Sequence, residues 1–234
     1  MTTILAIETS TELATAVLLV GEHIFSRELS GVQTHSQAIL PAIQSLLVEA
    51  GVRLSDCDAI AFGCGPGAFT GIRTACGIVQ GLAFGADLPV LPVVSLQAMA
   101  AGAKALRPGT DFVCILDARM AEVYWAHYHF DGAACQQVTA PALSTLAQLS
   151  EQDFSAETLF VLGQGVALPE TLQAFPVILC APHARDIAHL ARVAFQQGLA
   201  LPAEMAQPLY LRNKIALTTA ERLLAKEALQ GQGV

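Results

Sequence analysis

Charge is scarce in this chain. Only 14% of its 234 residues are Asp, Glu, Lys or Arg, while 53% are hydrophobic. That balance excludes a disordered chain, which has too little apolar content to bury and far more charge. It also leaves few polar side chains to cover a surface, so part of the apolar excess is expected to meet a partner. Cations are the scarcest: 12 Lys and Arg stand against 20 Asp and Glu, a net charge of −8. A domain that grips tRNA or DNA unaided is usually basic, so any nucleic acid is expected to be handled by another subunit.

Clean apolar runs of membrane-spanning length are missing too. Between Thr74 and Ala103 the only charge is Asp87, yet Pro89 and Pro92 interrupt the run and Gly77, Gly81 and Gly85 weaken it. A span needs about 18 uninterrupted apolar residues. The opening MTTILAIETS has no basic flank and meets an acid at Glu8, unlike a signal peptide. A soluble cytoplasmic protein is expected. No C-x-x-C pair occurs among the cysteines at 57, 64, 76, 114, 135 and 180, which argues against zinc and redox motifs and for small apolar packing residues. No two of the histidines at 23, 35, 127, 129, 183 and 189 stand three or four apart, so a helical metal pair is ruled out. His127 and His129 share a strand face without an evident third ligand. Neither a metal nor a cofactor is expected.

What is present is a pattern that occurs twice. Residues 3–7 read as a buried strand, ETSTE (8–12) as a turn, and 13–20 and about 23–29 as two more strands. A helix is expected from Ser36 to Ala50, closed by Gly51, with Ile39, Leu40, Ile43, Leu46 and Leu47 on a helical period. Pro41 should kink it or restart its first turn. A strand at 58–62 leads to a glycine loop, a helix from Thr70 to Gly85, a strand at 89–94 and a helix capped by Ser95 that runs to Leu106. After the turn at 107–110 the pattern restarts. Strands at 112–116 and 123–130 flank a turn from Asp117 to Glu122, and Asp131-Gly132 signals a hairpin. Beyond it come a helix at 142–150, strands at 158–162 and 176–180, a helix from 187 capped by Asp186, an extended PLYLR (208–212) and a last helix with a Thr218–Glu221 capping box.

ILAIETSTELATAVLLVGE and VCILDARMAEVYWAHYHFDG each give a buried strand, an acid at its end, a short turn and a second strand. The expected fold is therefore α/β: two actin-like (ASKHA, ribonuclease H-like) lobes of mixed sheet flanked by helices. The first spans 1–106 and the second 107–234. In that fold strand-end acids help place a metal on ATP, and small polar residues donate to phosphates. Glu8, Thr9, Ser10 and Asp117 are the candidates for a nucleotide site, or else they are strand-end acids and turn formers.

FGCGPGAFTGIR (62–73) is not a P-loop, because Gly71 is followed by Ile72 and not by Lys. A helix N-terminus could still hold an anion. The helix beyond it favours a structural role. Thr70, Thr74, Gly77, Gly81 and Gly85 fall near one face. Each internal glycine costs about 1 kcal/mol against alanine, so close approach of another backbone is expected there, within the domain or across an interface. Arg73 near the helix start is a candidate to pair with a partner's acid.

ILAIETS, THSQAILPAIQSLL, FGCGPGAFTGIR, DARMAEVYWAHY and PLYLR, in that order and spacing, resemble the TsaB (YeaZ) family of bacterial threonylcarbamoyladenosine biosynthesis proteins. The resemblance covers about residues 1–215. It implies a non-catalytic subunit that binds and supports the transferase TsaD. With the ATPase TsaE, that assembly adds threonylcarbamoyl to the adenosine beside the anticodon (position 37) of tRNAs reading codons that begin with A. The contact surface implied is the pair of first-lobe helices, which also lets the family form homodimers. On this chain it maps to His35, Ser36, Ile39, Leu40, Ile43 and Leu47, and to Phe69, Thr70, Arg73, Thr74, Gly77 and Gly81. Glu8 departs from the aspartate expected there. The rival is a stand-alone ATP-dependent phospho- or carbamoyltransferase using Glu8, Thr9, Ser10 and Asp117. A peptidase is disfavoured, since no Ser-His-Asp or metal constellation appears.

Overall fold

A computed structural model describes residues 1–29 and 35–212. The last helix expected from Thr218 and Glu221 lies outside the described residues. Two five-stranded sheets carry the fold. The first is built from β1 (Thr3–Glu8), β2 (Ala14–Val20), β3 (His23–Leu29), β4 (Ala59–Gly65) and β5 (Val90–Val94), in the order β3-β2-β1-β4-β5. The second is built from β6 (Asp111–Arg119), β7 (Glu122–Asp131), β8 (Ala134–Thr145), β9 (Leu159–Leu162) and β10 (Val177–Leu179), in the order β10-β9-β6-β7-β8. Within each, the first three strands pair antiparallel and the last two parallel. The duplication read from the sequence is thus a duplication of sheet topology, and the chain has the two-lobed actin-like fold.

The helices are distributed unequally. On the outer face of the first sheet lie α1 (His35–Ala50) and α2 (Phe69–Ala86). Leu5, Ile7, Leu18, Ile60 and Phe62 point to them, while their strand neighbours Ile4, Ala6, Val17 and Leu19 point to the opposite face, the period-two alternation of a sheet buried on both sides. In the second lobe the corresponding positions hold only a five-residue helix, α4 (Leu146–Ser150), and a 3-10 turn (Glu170–Leu172). An aromatic cluster of Phe154, Phe160 and Phe175 fills the space there. The exposed flanks of long helices therefore belong to the first lobe.

The last helix of each half, among the described residues, crosses over. α3 (Ser95–Leu106) packs on the second sheet through Leu96, Met99, Ala100 and Ala103. α5 (Ala184–Gln196) packs on the first sheet through Ala184, Ile187, Ala188 and Ala191. Residues 201–209 also return to the first lobe, where Leu201 bridges Val90 and the Leu209 N–H donates to the Cys64 carbonyl at 2.7 Å. A cut at 106/107 separates the sheets but not the layers, because α5 and the chain after it complete the first lobe.

Several local expectations are corrected. β8 runs through 134–145, where a helix was expected from 142; Thr145 caps α4 instead, its hydroxyl accepting the Gln148 N–H. α5 starts at Ala184, before Asp186, with His183 as its cap. Ser95 is the first residue of α3, and the residue before it, Val94, makes no side-chain cap. α1 continues through Pro41, which lacks the N–H that would reach the Gln37 carbonyl. No helix among the described residues is long and apolar enough to cross a membrane.

Candidate partner-binding face and interlobe cleft

A cavity of about 1440 Å³ lies between the lobes. The β1–β2 turn, the glycine loop, the β6–β7 turn and residues 209–212 line it. Thr9, Ser10 and Asp117 are on its wall; Glu8 is not. Glu8 is fully buried, with its carboxylate accepting the Ser10 N–H and, at 2.9 Å, the Ser95 hydroxyl. It ties the end of β1 to the start of α3. Gly63 makes the room: a Cβ there would fall 1.9 Å from Glu8 Oε2.

The Thr9 hydroxyl, the Ser10 backbone and the Asp117 carboxylate are spent within the protein. The Thr9 hydroxyl donates to the Gly71 carbonyl at 2.7 Å, and the Ser10 carbonyl accepts the Ala68 N–H at 2.7 Å. The Ser10 N–H is held by Glu8, and the Ser10 hydroxyl is buried without a partner. Asp117 accepts the Arg119 N–H at 2.9 Å and pairs with its guanidinium at 3.3 Å. Glu8 and Asp117 are therefore not brought together, and among the described residues no group of three His, Cys, Asp or Glu could hold a metal. His127 and His129 instead share Asp111, at 3.2 and 3.1 Å.

Burial raises the Glu8 pKa above its ordinary 4.5, against the hydrogen bonds from Ser10 and Ser95 that favour the anion. The native state then binds that proton more tightly than the unfolded chain. Stability is expected to fall as pH rises from about 4.5 through the native pKa. Glu8→Gln is neutral throughout, and the Ser95 hydroxyl can turn to accept its amide. In thermal melts from about pH 4 to about pH 8, the variant should gain on the wild type as pH increases. Parallel curves would mean that Glu8 titrates alike in both states.

The second site is the outer surface of α1 and α2. On α1, Ile39, Ala42, Ile43 and Leu46 are buried at the i, i+3, i+4, i+7 spacing of a core stripe. Each large one contributes about 1.5–3 kcal/mol by burial. Ile39 and Ile43 thus belong to the core, not to the partner face, and Leu47 is half-buried against it. A one-residue shift around the helix decides this, and Leu40 and Val48 are the apolar residues left outside. Ser36 is exposed, and His35 opens the helix.

On α2, Gly71, Ile72, Ala75, Cys76, Val79 and Ala83 face inward. At 100° per residue, Thr70, Thr74, Gly77, Gly81 and Gly85 fall on the opposite side. A Cβ at any of those three glycines would meet nothing within 4 Å. Phe69 and Phe84 flank the stripe, Phe84 81% exposed. Arg73 stacks its guanidinium on the Phe69 ring, 3.7 Å from the centroid, and donates to the Tyr210 hydroxyl at 2.7 Å. The sequence reading missed Val48 and Phe84. Their signal was there: Val48 is two turns beyond Leu40, and Phe84 stands beside the third glycine.

Comparison with known proteins agrees with this architecture. The family model for TsaD, tRNA N6-adenosine threonylcarbamoyltransferase, matches residues 25–227. The TsaB protein of Escherichia coli (strain K12), a tRNA threonylcarbamoyladenosine biosynthesis protein, is 36% identical over 233 residues, covering 91% of this chain and 96% of that protein. The TsaB protein of Haemophilus influenzae is 37% identical over 232 residues, covering 91% and 94%. The solved structure of YeaZ from Pseudomonas aeruginosa matches with a TM-score of 0.80 at 38% identity, over 90% of this chain and 100% of that one. Sequence, sheet order and these likenesses converge: the chain belongs to the TsaB (YeaZ) family of tRNA threonylcarbamoyladenosine biosynthesis proteins.

Proposed function

We propose that this chain is a non-catalytic subunit that docks its α1–α2 face on the transferase subunit TsaD. With the ATPase TsaE, the assembly would add threonylcarbamoyl to adenosine 37 of tRNAs reading codons that begin with A. The observation that carries the reading is the stripe of Gly77, Gly81 and Gly85. Among the described residues nothing outside the helix itself comes within 4 Å of where their Cβ atoms would be, so no contact there offsets the helix stability they forgo. A second helix lying against the stripe would offset it, at close backbone distance. Leu40, Val48, Phe69 and Phe84 supply exposed apolar area around it, of the kind that forms the apolar centre of an interface. In the absence of the transferase, the same face would pair with a second copy of the chain.

The inward-turned donors of Thr9 and Ser10 and the burial of Glu8 support a subunit that leaves nucleotide chemistry to its partners. The net charge of −8 likewise supports tRNA contact through the complex. Mixing the purified chain with purified TsaD should give a stable heterodimer on size exclusion, and calorimetry of the lone chain with Mg-ATP should show no tight binding. Tight binding with turnover by the lone chain would instead favour the stand-alone transferase, for which the cleft lined by Thr9, Ser10 and Asp117 is the supporting feature.

A further inference from the structure

The docking face reaches the cleft through Ser36, Phe69, Thr70 and Thr74, and a short run of chain crosses from that face to the other lobe. After the 3-10 turn Ala203–Met205 the chain runs beside α2, where Cys76 Sγ donates to the Ala206 carbonyl at 3.2 Å. The Leu209 N–H then holds the Cys64 carbonyl, and Tyr210 sets its ring 5.8 Å from Phe69 and takes the Arg73 Nε–H on its hydroxyl. Two residues on, Arg212 is anchored to the other lobe. Its Nη2 donates to the Ala118 carbonyl at 3.0 Å, its Nη1 pairs with Glu122 at 2.6 Å, and Nη1 also meets Met120 Sδ at 3.5 Å.

Those anchors bracket an unusual turn. Arg119, Met120 and Ala121 all have positive φ, at 64°, 57° and 58°. Three successive non-glycine residues in that region cost free energy and persist only where the surroundings hold them. Arg212 grips the turn on both sides. The grip is partly buried, with the Arg212 and Glu122 side chains 22% and 30% exposed, so it is stronger than a surface ion pair.

We propose that residues 208–212 are a strap that couples occupancy of the docking face to the order of the cleft, through the bond by which Arg73 on that face holds Tyr210 of the strap. The inference rests on the docking reading. Arg73 is the only charged residue on α2. Its Nε is committed to Tyr210, and among the described residues its remaining N–H groups have no acceptor. A carboxylate on the docked partner that takes those groups fixes Arg73 and, through it, Tyr210. Tyr210 fixed on the first lobe keeps Arg212 seated on the second, and the β6–β7 turn stays closed. By linkage, whatever orders the turn strengthens docking by the same factor.

Hydrogen exchange on the full-length chain, alone and with purified TsaD, tests this. In the free chain, Arg212→Ala should speed exchange over residues 117–123 at least about tenfold, the scale of losing charge-assisted hydrogen bonds, and Tyr210→Phe should do so less. TsaD should slow exchange over α1, α2 and the turn in the wild type. In Arg212→Ala it should still slow α1 and α2 but no longer the turn. Unchanged exchange over 117–123 in free Arg212→Ala would overturn the strap. Protection of α1 and α2 without protection of the wild-type turn would overturn the coupling. Absence of protection over α1 and α2 would sink the docking reading and the coupling with it, while the free-chain comparison would still decide whether the strap ties the lobes.

Discussion

Gly81→Leu is expected to make the chain more stable and to remove its hold on TsaD. The two effects have separate causes. Among the described residues a Cβ at this exposed position meets nothing within 4 Å, so a larger side chain is expected to extend into solvent. The helix then regains close to the 0.8–1 kcal/mol that glycine forfeits, roughly, which for a domain of this size raises the Tm by about 2–4 °C. In the proposed complex the same side chain stands where a neighbouring backbone would come close. Truncation at interface centres costs about 2 kcal/mol or more, and a bulky insertion there should cost at least as much, about 30-fold in Kd. Gly77→Leu should behave likewise, and Gly81→Ala should show both effects in smaller measure. Thermal melts followed by calorimetric titration with TsaD decide it. A stabilised Gly81→Leu that binds with wild-type affinity would remove the stripe from the interface and leave three helix-weakening glycines without a reason.

The sequence made the fold legible because both of its signals are local and repeated. A buried strand ending in an acid, followed by a turn and a second strand, occurs at 3–20 and again at 112–130, and the two sheets keep the same strand order. The outer faces of α1 and α2 were legible only in part. On α2 Gly77, Gly81 and Gly85 share a face by their four-residue spacing, while Ile72, Val79 and Ala83 mark the opposite one as the core side. On α1, Ile39, Leu40, Ile43 and Leu47 span more than one face of an apolar helix, and only the sheet beneath decides that Ile39 and Ile43 are inside and Leu40 outside. β8 was missed because ACQQVTAPALST carries a proline and little β-branched content, and its order comes from pairing with β7. The strap could not be read at all. Arg212 meets Ala118 and Glu122 across some ninety residues of chain, and no spacing rule reports such a contact. Glu8 shows the opposite failure: its position at a strand end was visible, but the direction of its carboxylate depends on Gly63 and Ser95, which come from two other elements.

Gly71→Ala should be among the most destabilising single changes in the first lobe, although it lies on the same helix as the stabilising ones. Its backbone is ordinary helix, so on propensity alone alanine would gain about 1 kcal/mol. The added Cβ, however, would fall 1.9 Å from the Thr9 carbonyl oxygen and 3.0 Å from the carbon bearing it. That obstacle is backbone, and it cannot swing aside. Thr9 is fully buried and its hydroxyl bonds the Gly71 carbonyl, while Ser10 accepts the Ala68 N–H. Relief therefore requires the loop and the β1–β2 turn to part, breaking both bonds. Overpacking of this kind costs about 3 kcal/mol, which outweighs the propensity gain of about 1 kcal/mol, and the net loss of about 2 kcal/mol lowers the Tm by roughly 4–8 °C. Gly77→Ala, six residues along, should shift the Tm upward. Opposite signs for one chemical change on one helix would establish that the first glycine is a spacer pressed against the β1–β2 turn and the second an uncovered surface. Equal signs would mean that the loop stands off the turn, leaving room at the head of α2 for an anion, and the cleft would then need to be read as a nucleotide site.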